Sequence, residues 1–266
     1  MELPPVKLVV CDMDGTLLDS RHEVSSEFFE LFARLRAAGI HFAAASGRQY
    51  ASIVDKLAGV RDDITVIAEN GAVVREGAET LMVTPIGRAE VERTLTAVRG
   101  HADIHAVVCT PDEAYTSDRS PRFIGYMREF YASHVAMSDP LDYEGQAVKV
   151  ALYHAESSER HVYPAVRALE DTLKVKVSGR HWVDVSSPEA HKGRAVRELQ
   201  QRLGVGPEET MAFGDYLNDL EMLALARHSY AMANAHPQVV AAARHGTASN
   251  DEGGVERVLR RLLESR

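Results

Sequence analysis

The 266-residue chain has few cysteines, a deficit of basic residues and no long hydrophobic run. Its two cysteines, Cys11 and Cys109, lie far apart, which argues against a disulfide framework or a structural zinc site and fits a reducing compartment. The 39 Asp and Glu outnumber the 30 Lys and Arg, giving a formal net charge of -9, so we expect no binding to nucleic acid or to an anionic membrane. No run approaches the about 18 apolar residues of a spanning helix, and no signal peptide is recognisable. We therefore expect a cytoplasmic protein whose partners are small molecules.

What is present is the composition of an ordinary globular protein. Hydrophobic residues make up 45% of the chain and charged residues 26%, which disfavours extended disorder. The length suits one large domain or two smaller ones, each with enough residues to bury a core. No internal repeat or low-complexity tract is visible.

The first 70 residues alternate strand and helix patterns. Short apolar runs at residues 8–11, 40–45 and 64–68 are typical of strands buried on both faces. Between the first two runs, apolar residues recur at helical spacing after Ser25 and Ser26, either of which can cap the helix. The resulting βαβαβ order predicts a parallel sheet with right-handed crossovers.

The end of the chain repeats this alternation, whereas the middle does not. After residue 185 we expect strands at 210–213 and 230–233 and helices at 217–226, 237–245 and 254–263. In the middle we expect hairpins near residues 76–77 and 111–113 and helices at 88–98, 121–133 and 158–173. The predicted fold class is α/β, a doubly wound parallel-sheet core with an inserted α+β domain. The predicted domains are residues 1–82 and 186–266 for the core and 83–185 for the insertion.

Polar residues of a particular kind follow the core strands. The sets are Asp12 to Thr16 after the first strand, Ser46 and Gly47 after the second, Lys192 at a helix start, and Asp215, Asn218 and Asp219 after the late strand. In open α/β sheets the ligand site lies beyond the carboxyl ends of the strands. So dense a group of carboxylates needs a cation, and oxygen ligands suit Mg²⁺. Helix amides and a lysine suit a phosphoryl group, so the pattern predicts a metal and phosphate site.

The two aspartates of the first strand end can divide the work of phosphoryl transfer. One carboxylate can attack phosphorus and form an aspartyl phosphate, which splits one displacement into two easier ones. The other, two residues on, can protonate the leaving oxygen and later deprotonate water. Gly15 permits the sharp turn that would bring both side chains toward one point.

Four strings in order carry a family resemblance. DMDGTLL, ASGR, HKG and FGDYLNDLEML resemble the motifs of the haloacid dehalogenase (HAD) superfamily, and IAENGA, AMANAHPQV and ASNDEGGV resemble its Cof-like sugar-phosphatase branch. The resemblance spans residues 6–81 and 184–262. It implies Asp12 as nucleophile and Mg²⁺ ligand, Asp14 as general acid and base with its backbone carbonyl on the metal, and Asp215 as the third ligand. It implies a phosphate site of Met13, Ser46, Gly47, Lys192 and Asn218, supported by Asp219 and Thr16. Position 46 more often carries threonine in that family, and serine keeps the hydroxyl.

The spacing of the motifs places the insertion. Only 34 residues separate Asp12 from Ser46, which leaves no room for a cap domain between the first two motifs. The 146 residues from Ser46 to Lys192 do leave room, which is the position of the α+β cap in the Cof-like branch. A lid there would exclude water and select the substrate.

The resemblance implies a Mg²⁺-dependent phosphatase acting on small phosphorylated metabolites, sugar phosphates above all. A phosphomutase of the same superfamily is an alternative, and a phospho-aspartate signalling module is an alternative of another class. Taken singly, Asp12 and Asp14 could form a turn that caps a helix, Asn218 and Asp219 could cap the following helix, and Arg48 could be structural. Substrate identity and oligomeric state stay open.

Overall fold

Two β-sheets of different construction organise this computed structural model, which describes residues 6–128 and 130–265. The outer limits of the predicted core, residues 1 and 266, and position 129 of the predicted helix 121–133 lie outside the described residues. The chain divides into two units. Unit 1 consists of the chain up to Gly47, Ile53–Met82 and the chain from His191 onward, and unit 2 consists of Arg48–Ser52 and Val83–Ala190.

The elements of unit 1 alternate along the chain as the sequence predicts. Its strands are β1 (Leu8–Asp12), β2 (His41–Ala45), β3 (Thr65–Ala68), β4 (Val73–Glu76), β5 (Glu79–Val83), β12 (Thr210–Gly214), β13 (His228–Ala231) and β14 (His245–Gly246). Its helices are α1 (Ser26–Ala37), α2 (Tyr50–Lys56), α7 (Lys192–Leu203), α8 (Leu220–Ala224), α9 (Pro237–Ala242) and α10 (Gly254–Glu264). The first turn of α2 and the last residue of β5, Val83, are grouped in unit 2.

The sheet of unit 1 has the order β14-β13-β12-β1-β2-β3-β4-β5. The strands from β14 to β3 are parallel, and β4 pairs antiparallel with β3. Leu8 and Val10 of β1 belong to an apolar cluster with α7, α8 and α9, while Phe42 of β2 packs against Phe28 of α1. The prediction of an α/β fold with a parallel-sheet core is confirmed.

The local sequence determines where helix α1 begins, which of its residues are buried and where it ends. The Ser25 hydroxyl accepts a hydrogen bond from the Phe28 amide at 3.1 Å, which caps the helix where the sequence predicts. Its buried residues repeat at helical spacing, and they are Phe28, Leu31, Phe32 and Leu35. Gly39, with φ of +70°, then turns the chain toward β2.

Unit 2 is built on a mainly antiparallel sheet. Its strands are β6 (Ile104–Cys109), β7 (Ala114–Thr116), β8 (His134–Ala136), β9 (Lys149–His154), β10 (Lys174–Val177) and β11 (Trp182–Ser186), in the order β10-β11-β9-β6-β7-β8. Its helices are α3 (Arg88–Val98), α4 (Pro121–Met127), α5 (Ser158–His161) and α6 (Tyr163–Val166). Only the pair β7 and β8 is parallel among the pairs within the described part of this sheet. One face of the sheet packs on α3 and α6 through an apolar cluster that includes Val150, Leu152 and Val183.

Several predicted boundaries in both units are wrong. The helix expected at 121–133 ends at Met127 and is followed by β8, which pairs with β7. The helix expected at 158–173 is divided into α5, α6 and a 3-10 helix at Arg167–Asp171. Pro164, the second residue of α6, has no amide hydrogen to donate back to α5, which accounts for the break just before α6. The strand expected at 230–233 begins at His228, where it pairs with β12, and the helix expected to reach residue 245 ends at Ala242. None of the helices in the described ranges is long and apolar enough to cross a membrane.

Candidate active site

Neighbouring parallel strands bring the predicted site residues to one edge of the unit 1 sheet. Asp12 is the last residue of β1 and lies in register with Ala45 of β2, so that Ser46 follows at the same edge. On the other side of β1, Phe213 of β12 pairs with Cys11, and Asp215 follows that strand. Parallel pairing places all the carboxyl ends on the same side, which is where a ligand site is expected in such sheets.

Three carboxylates converge at this edge. Each of Asp12, Asp215 and Asp219 offers an oxygen, and these oxygens lie within 4.8 Å of one another. The Thr16 hydroxyl donates to Oδ1 of Asp215 at 3.0 Å. The side chain of Asp219, and not that of Asp14, is the third member.

Lys192, the first residue of α7, binds two of these carboxylates. Its Nζ is fully buried and donates to Oδ1 of Asp12 and, at 2.7 Å, to Oδ1 of Asp219. The other oxygen of Asp219 accepts the backbone amides of Asp215 and Tyr216 at 3.0 and 3.1 Å. Both oxygens of Asp219 are therefore engaged, and this residue holds Lys192 and the Asp215 loop in place.

Burial dominates the electrostatics of the cluster. Burial, followed by the charge of Asp219, raises the pKa of Asp12 well above its usual value. The same two causes raise the pKa of Asp215 to about 6. Burial by itself would lower the pKa of Lys192, but Asp12 and Asp219 outweigh it and raise that pKa. Lys192 compensates only part of the negative charge that the three carboxylates carry when they are ionised. A bound cation would compensate the rest.

The donor set fits a divalent metal ion. Oδ2 of Asp12 is buried and has no hydrogen-bond partner among the residues that the structure describes. A buried carboxylate oxygen without a partner is costly, and a cation would satisfy it. Asp215 lies beside it and is only partly buried. Carboxylate oxygens are hard ligands that suit such a cation, so Asp12 and Asp215 are the side chains suited to hold it.

The turn after β1 requires the glycine that the sequence places there. Gly15 has φ of +77°, and a Cβ at this position would lie 2.4 Å from Oδ2 of Asp215. Its carbonyl oxygen accepts a hydrogen bond from the Asn234 side chain at 2.8 Å. Asp14, just before the turn, keeps a side chain that is 39% exposed and lies 3.4 Å from Nδ1 of His22. Its exposure suits a group that exchanges protons with water.

The predicted phosphate-binding residues lie around the same edge. Ser46 is buried directly after β2, and Met13 is buried next to Asp12. Asn218 donates through Nδ2 to Oδ1 of Asn70 at 3.1 Å, and a Cβ on Gly47 would lie 3.0 Å from Nδ2 of the same Asn70. The structure therefore joins Asn218 and the Ser46–Gly47 turn through a residue that the sequence analysis did not select.

Asn70 could have been found from its place in the chain. It lies two residues after the end of β3, much as Asp12 is the last residue of β1 and Ser46 directly follows β2. Applying the strand-end rule to the third strand would have selected it. Arg48, in unit 2, stacks its guanidinium 5.3 Å from the centre of the Phe130 ring, which supports the structural interpretation of that arginine.

Comparison with known proteins identifies the family of the chain. Residues 9–259 match the family of haloacid dehalogenase-like hydrolases. The 5-amino-6-(5-phospho-D-ribitylamino)uracil phosphatase YbjI of Escherichia coli K12 is 31% identical over 266 residues, covering 97% of each chain. The phosphatase YwpJ of Bacillus subtilis is 26% identical over 294 residues, covering 97% of this chain and 100% of its own. The crystal structure of SMU.1108c from Streptococcus mutans UA159 superposes with a TM-score of 0.87 at 27% identity, covering 97% of this chain and 99% of that one.

The family match and the whole-length relatives extend over both ends of the chain, where the four motifs lie, and over the residues between them. The predicted superfamily and the predicted enzyme class are confirmed. The chain belongs to the haloacid dehalogenase-like hydrolases and is a phosphatase.

Proposed function

We propose that this phosphatase is Mg²⁺-dependent and hydrolyses small phosphorylated metabolites through an aspartyl phosphate on Asp12. The observation that carries the proposal is the environment of the Asp12 carboxylate. One of its oxygens accepts from Lys192, while the other is buried and lacks a hydrogen-bond partner within the described ranges. A carboxylate oriented by a lysine, with one oxygen left for a further partner, suits a nucleophile.

Asp12 and Asp215 would hold the metal ion, with the backbone carbonyl of Asp14 as the resemblance implies. Bound Mg²⁺ would neutralise the carboxylates and polarise the phosphoryl group. Asp219 serves a different purpose, because both of its oxygens already accept hydrogen bonds from Lys192 and from backbone amides.

The residues of the chain divide the reaction into two displacements. An oxygen of Asp12 attacks phosphorus, the bond from phosphorus to the leaving oxygen breaks, and Asp14 gives that oxygen its proton. Asp14 then takes a proton from the water that attacks the aspartyl phosphate, which releases inorganic phosphate and restores Asp12. Ser46, the Met13 and Gly47 amides, Lys192 and Asn218 bind the phosphoryl oxygens and stabilise their charge.

We further propose phosphorylated sugars or polyols as the substrate class. The resemblance to the Cof-like branch supports this class, and the name of the E. coli relative also describes a phosphorylated ribityl compound. Within the interval between Ser46 and Lys192, unit 2 consists of Arg48–Ser52 and Val83–Ala190, and the second of these segments is the block that the motif spacing predicts as the substrate-selecting lid. Selection of this kind depends on the shape of a pocket and on polar groups that a wrong substrate leaves unpaired.

The test is phosphate release from sugar phosphates, polyol phosphates, nucleotides, flavin mononucleotide and pyridoxal phosphate, with Mg²⁺ and with a chelator. We expect release that needs the metal and is highest for a sugar or polyol phosphate. Asp12→Asn should lower kcat by at least about 10³-fold, because the nucleophile is lost. Acid-quenched wild type should carry one phosphoryl group on the peptide that contains Asp12.

Asp62→Asn, on an exposed side chain of unit 1, is the matched control and should behave as wild type. Full activity in Asp12→Asn would exclude the aspartyl phosphate. Turnover that requires a bisphosphate and releases no net phosphate would indicate the phosphomutase alternative. Activity unchanged by the chelator would overturn the metal requirement.

A further inference from the structure

The loop after β3 has an unusual backbone. Glu69, Asn70 and Gly71 are consecutive and have φ of +51°, +55° and +93°. The left-handed region is unfavourable for residues with a Cβ, and asparagine is among those that tolerate it best. Three such residues in succession, next to a catalytic edge, indicate a loop whose shape is imposed by its contacts.

The backbone of this loop touches two residues of the proposed phosphate site. The Asn70 amide donates to the carbonyl oxygen of Ser46 at 2.9 Å. A Cβ on Gly71 would lie 2.4 Å from the carbonyl oxygen of His191, so the loop runs directly against the residue before Lys192. Only glycine allows this approach, and the loop is thereby set between the Ser46 turn and the start of α7.

The side chain of Asn70 reaches a third residue of that site. Its Oδ1 accepts from Nδ2 of Asn218 at 3.1 Å. A side-chain amide can present either its NH₂ or its oxygen to a ligand, and an anionic phosphoryl oxygen is attracted only by the NH₂. Since Asn70 accepts one of the two N–H groups, it selects the orientation in which the second N–H of Asn218 stays available.

We propose that Asn70 is a positioning residue of the phosphatase reaction, which orients the Asn218 amide through its side chain and holds Ser46 through its backbone. The inference rests on the proposed function, because it assigns Asn218 and Ser46 to the phosphoryl group. Asn70 acts through these neighbours and takes no part in bond making.

The first test is Asn70→Gly, which removes the side-chain amide, keeps the backbone amide and tolerates the positive φ. We expect kcat/KM to fall about 10- to 100-fold, with weaker inhibition by orthovanadate and an unchanged thermal midpoint. Asn70→Ala should lose the same activity and also lower the midpoint, since alanine tolerates a positive φ less well than asparagine or glycine does. Unchanged kinetics in Asn70→Gly would overturn the proposal, and so would a loss of activity that only follows a loss of folded protein.

The second test is a double-mutant cycle with Asn218→Ala. If Asn70 acts through Asn218, the double variant Asn70→Gly with Asn218→Ala should fall within about twofold of Asn218→Ala alone. Losses that multiply would show independent roles and overturn the proposal.

Wild type and Asp12→Asn in the same assay distinguish a failure of the proposed function from a failure of the proposed role of Asn70. A wild type that releases no phosphate, or an active Asp12→Asn, overturns the proposed function. Active wild type, inactive Asp12→Asn and unaffected Asn70→Gly overturn only the role of Asn70.

Discussion

The two units solve the burial of polar groups in different ways. In unit 1 the central strand β1 is apolar from Leu8 to Cys11, and its first acid, Asp12, comes only at the end. In unit 2 the acid Asp184 lies in the middle of β11, and Lys149 is the first residue of β9. In a parallel sheet covered on both faces, polar and charged residues lie mainly at the strand ends. An antiparallel sheet can carry such residues along one of its faces.

Each unit buries a lysine, and their partners differ. Lys192 of unit 1 is completely buried and makes hydrogen bonds to both Asp12 and Asp219. Lys149 of unit 2 is almost as buried, but its Nζ lies 3.8 Å from Asp184 and 5.4 Å from the centre of the Tyr131 ring. Burial of a lysine is tolerated when charges or aromatic rings compensate it, and only in unit 1 are those charges also the proposed reacting groups.

The largest predicted effect is a loss of kcat on replacing Lys192, and replacing Lys149 should not reproduce it. We expect Lys192→Met to lower kcat by about 10³-fold or more, since it removes a cation that orients Asp12. It should also lower the free energy of unfolding by about 3–5 kcal/mol, because Asp12 and Asp219 would remain buried without their partner. Steady-state kinetics and urea unfolding measure the two effects.

The matched variant for this prediction is Lys149→Met, which should keep kcat within about tenfold of wild type. Equal losses of kcat in the two variants would contradict the contrast between the units.

A second prediction tests whether the two cores are separate. Leu152→Ala removes a fully buried side chain from the unit 2 cluster and should lower the free energy of unfolding by about 2–5 kcal/mol. Amide hydrogen exchange should quicken more in β9 and β6 than in β1, since the lost contacts belong to unit 2. Leu199→Ala, in the unit 1 cluster, should give the opposite pattern. Equal acceleration in both sheets would mean one cooperative core.

The smallest effect concerns the pH dependence of unit 1. Burial lowers the pKa of His41, whose Nε2 lies 2.7 Å from the Thr65 hydroxyl. The unfolded chain therefore binds the proton more readily than the folded chain does. The contribution of neutral His41 to the free energy of unfolding is complete above about pH 6.5 and is lost as the pH falls through the folded pKa. His41→Gln should lose less stability than wild type between about pH 7 and pH 5 in urea titrations. Parallel curves would exclude His41 as a source of the pH dependence.

Local patterns predicted those features that depend on neighbours in the chain. Ser25 caps α1 because its hydroxyl reaches an amide three residues away, and Gly15 makes its turn because of its own φ. Strand β8 was not predicted, since its three residues are too few to show an alternating pattern, and it is recognised by its pairing with β7. The role of Asn70 was missed for a similar reason, because its partner Asn218 is 148 residues away.

The sequence by itself determined the alternation of strands and helices, the order of the motifs and the kinds of side chain at each strand end. These depend on periodicity, capping and turn chemistry, which act over a few residues. Only the tertiary structure decided that Asp219 binds Lys192 while an oxygen of Asp12 is left for another partner. It alone also decided that burial raises the pKa of Asp215 to about 6. Distances between residues far apart in the chain, and the loss of water around them, arise only when the sheet and its helices pack together.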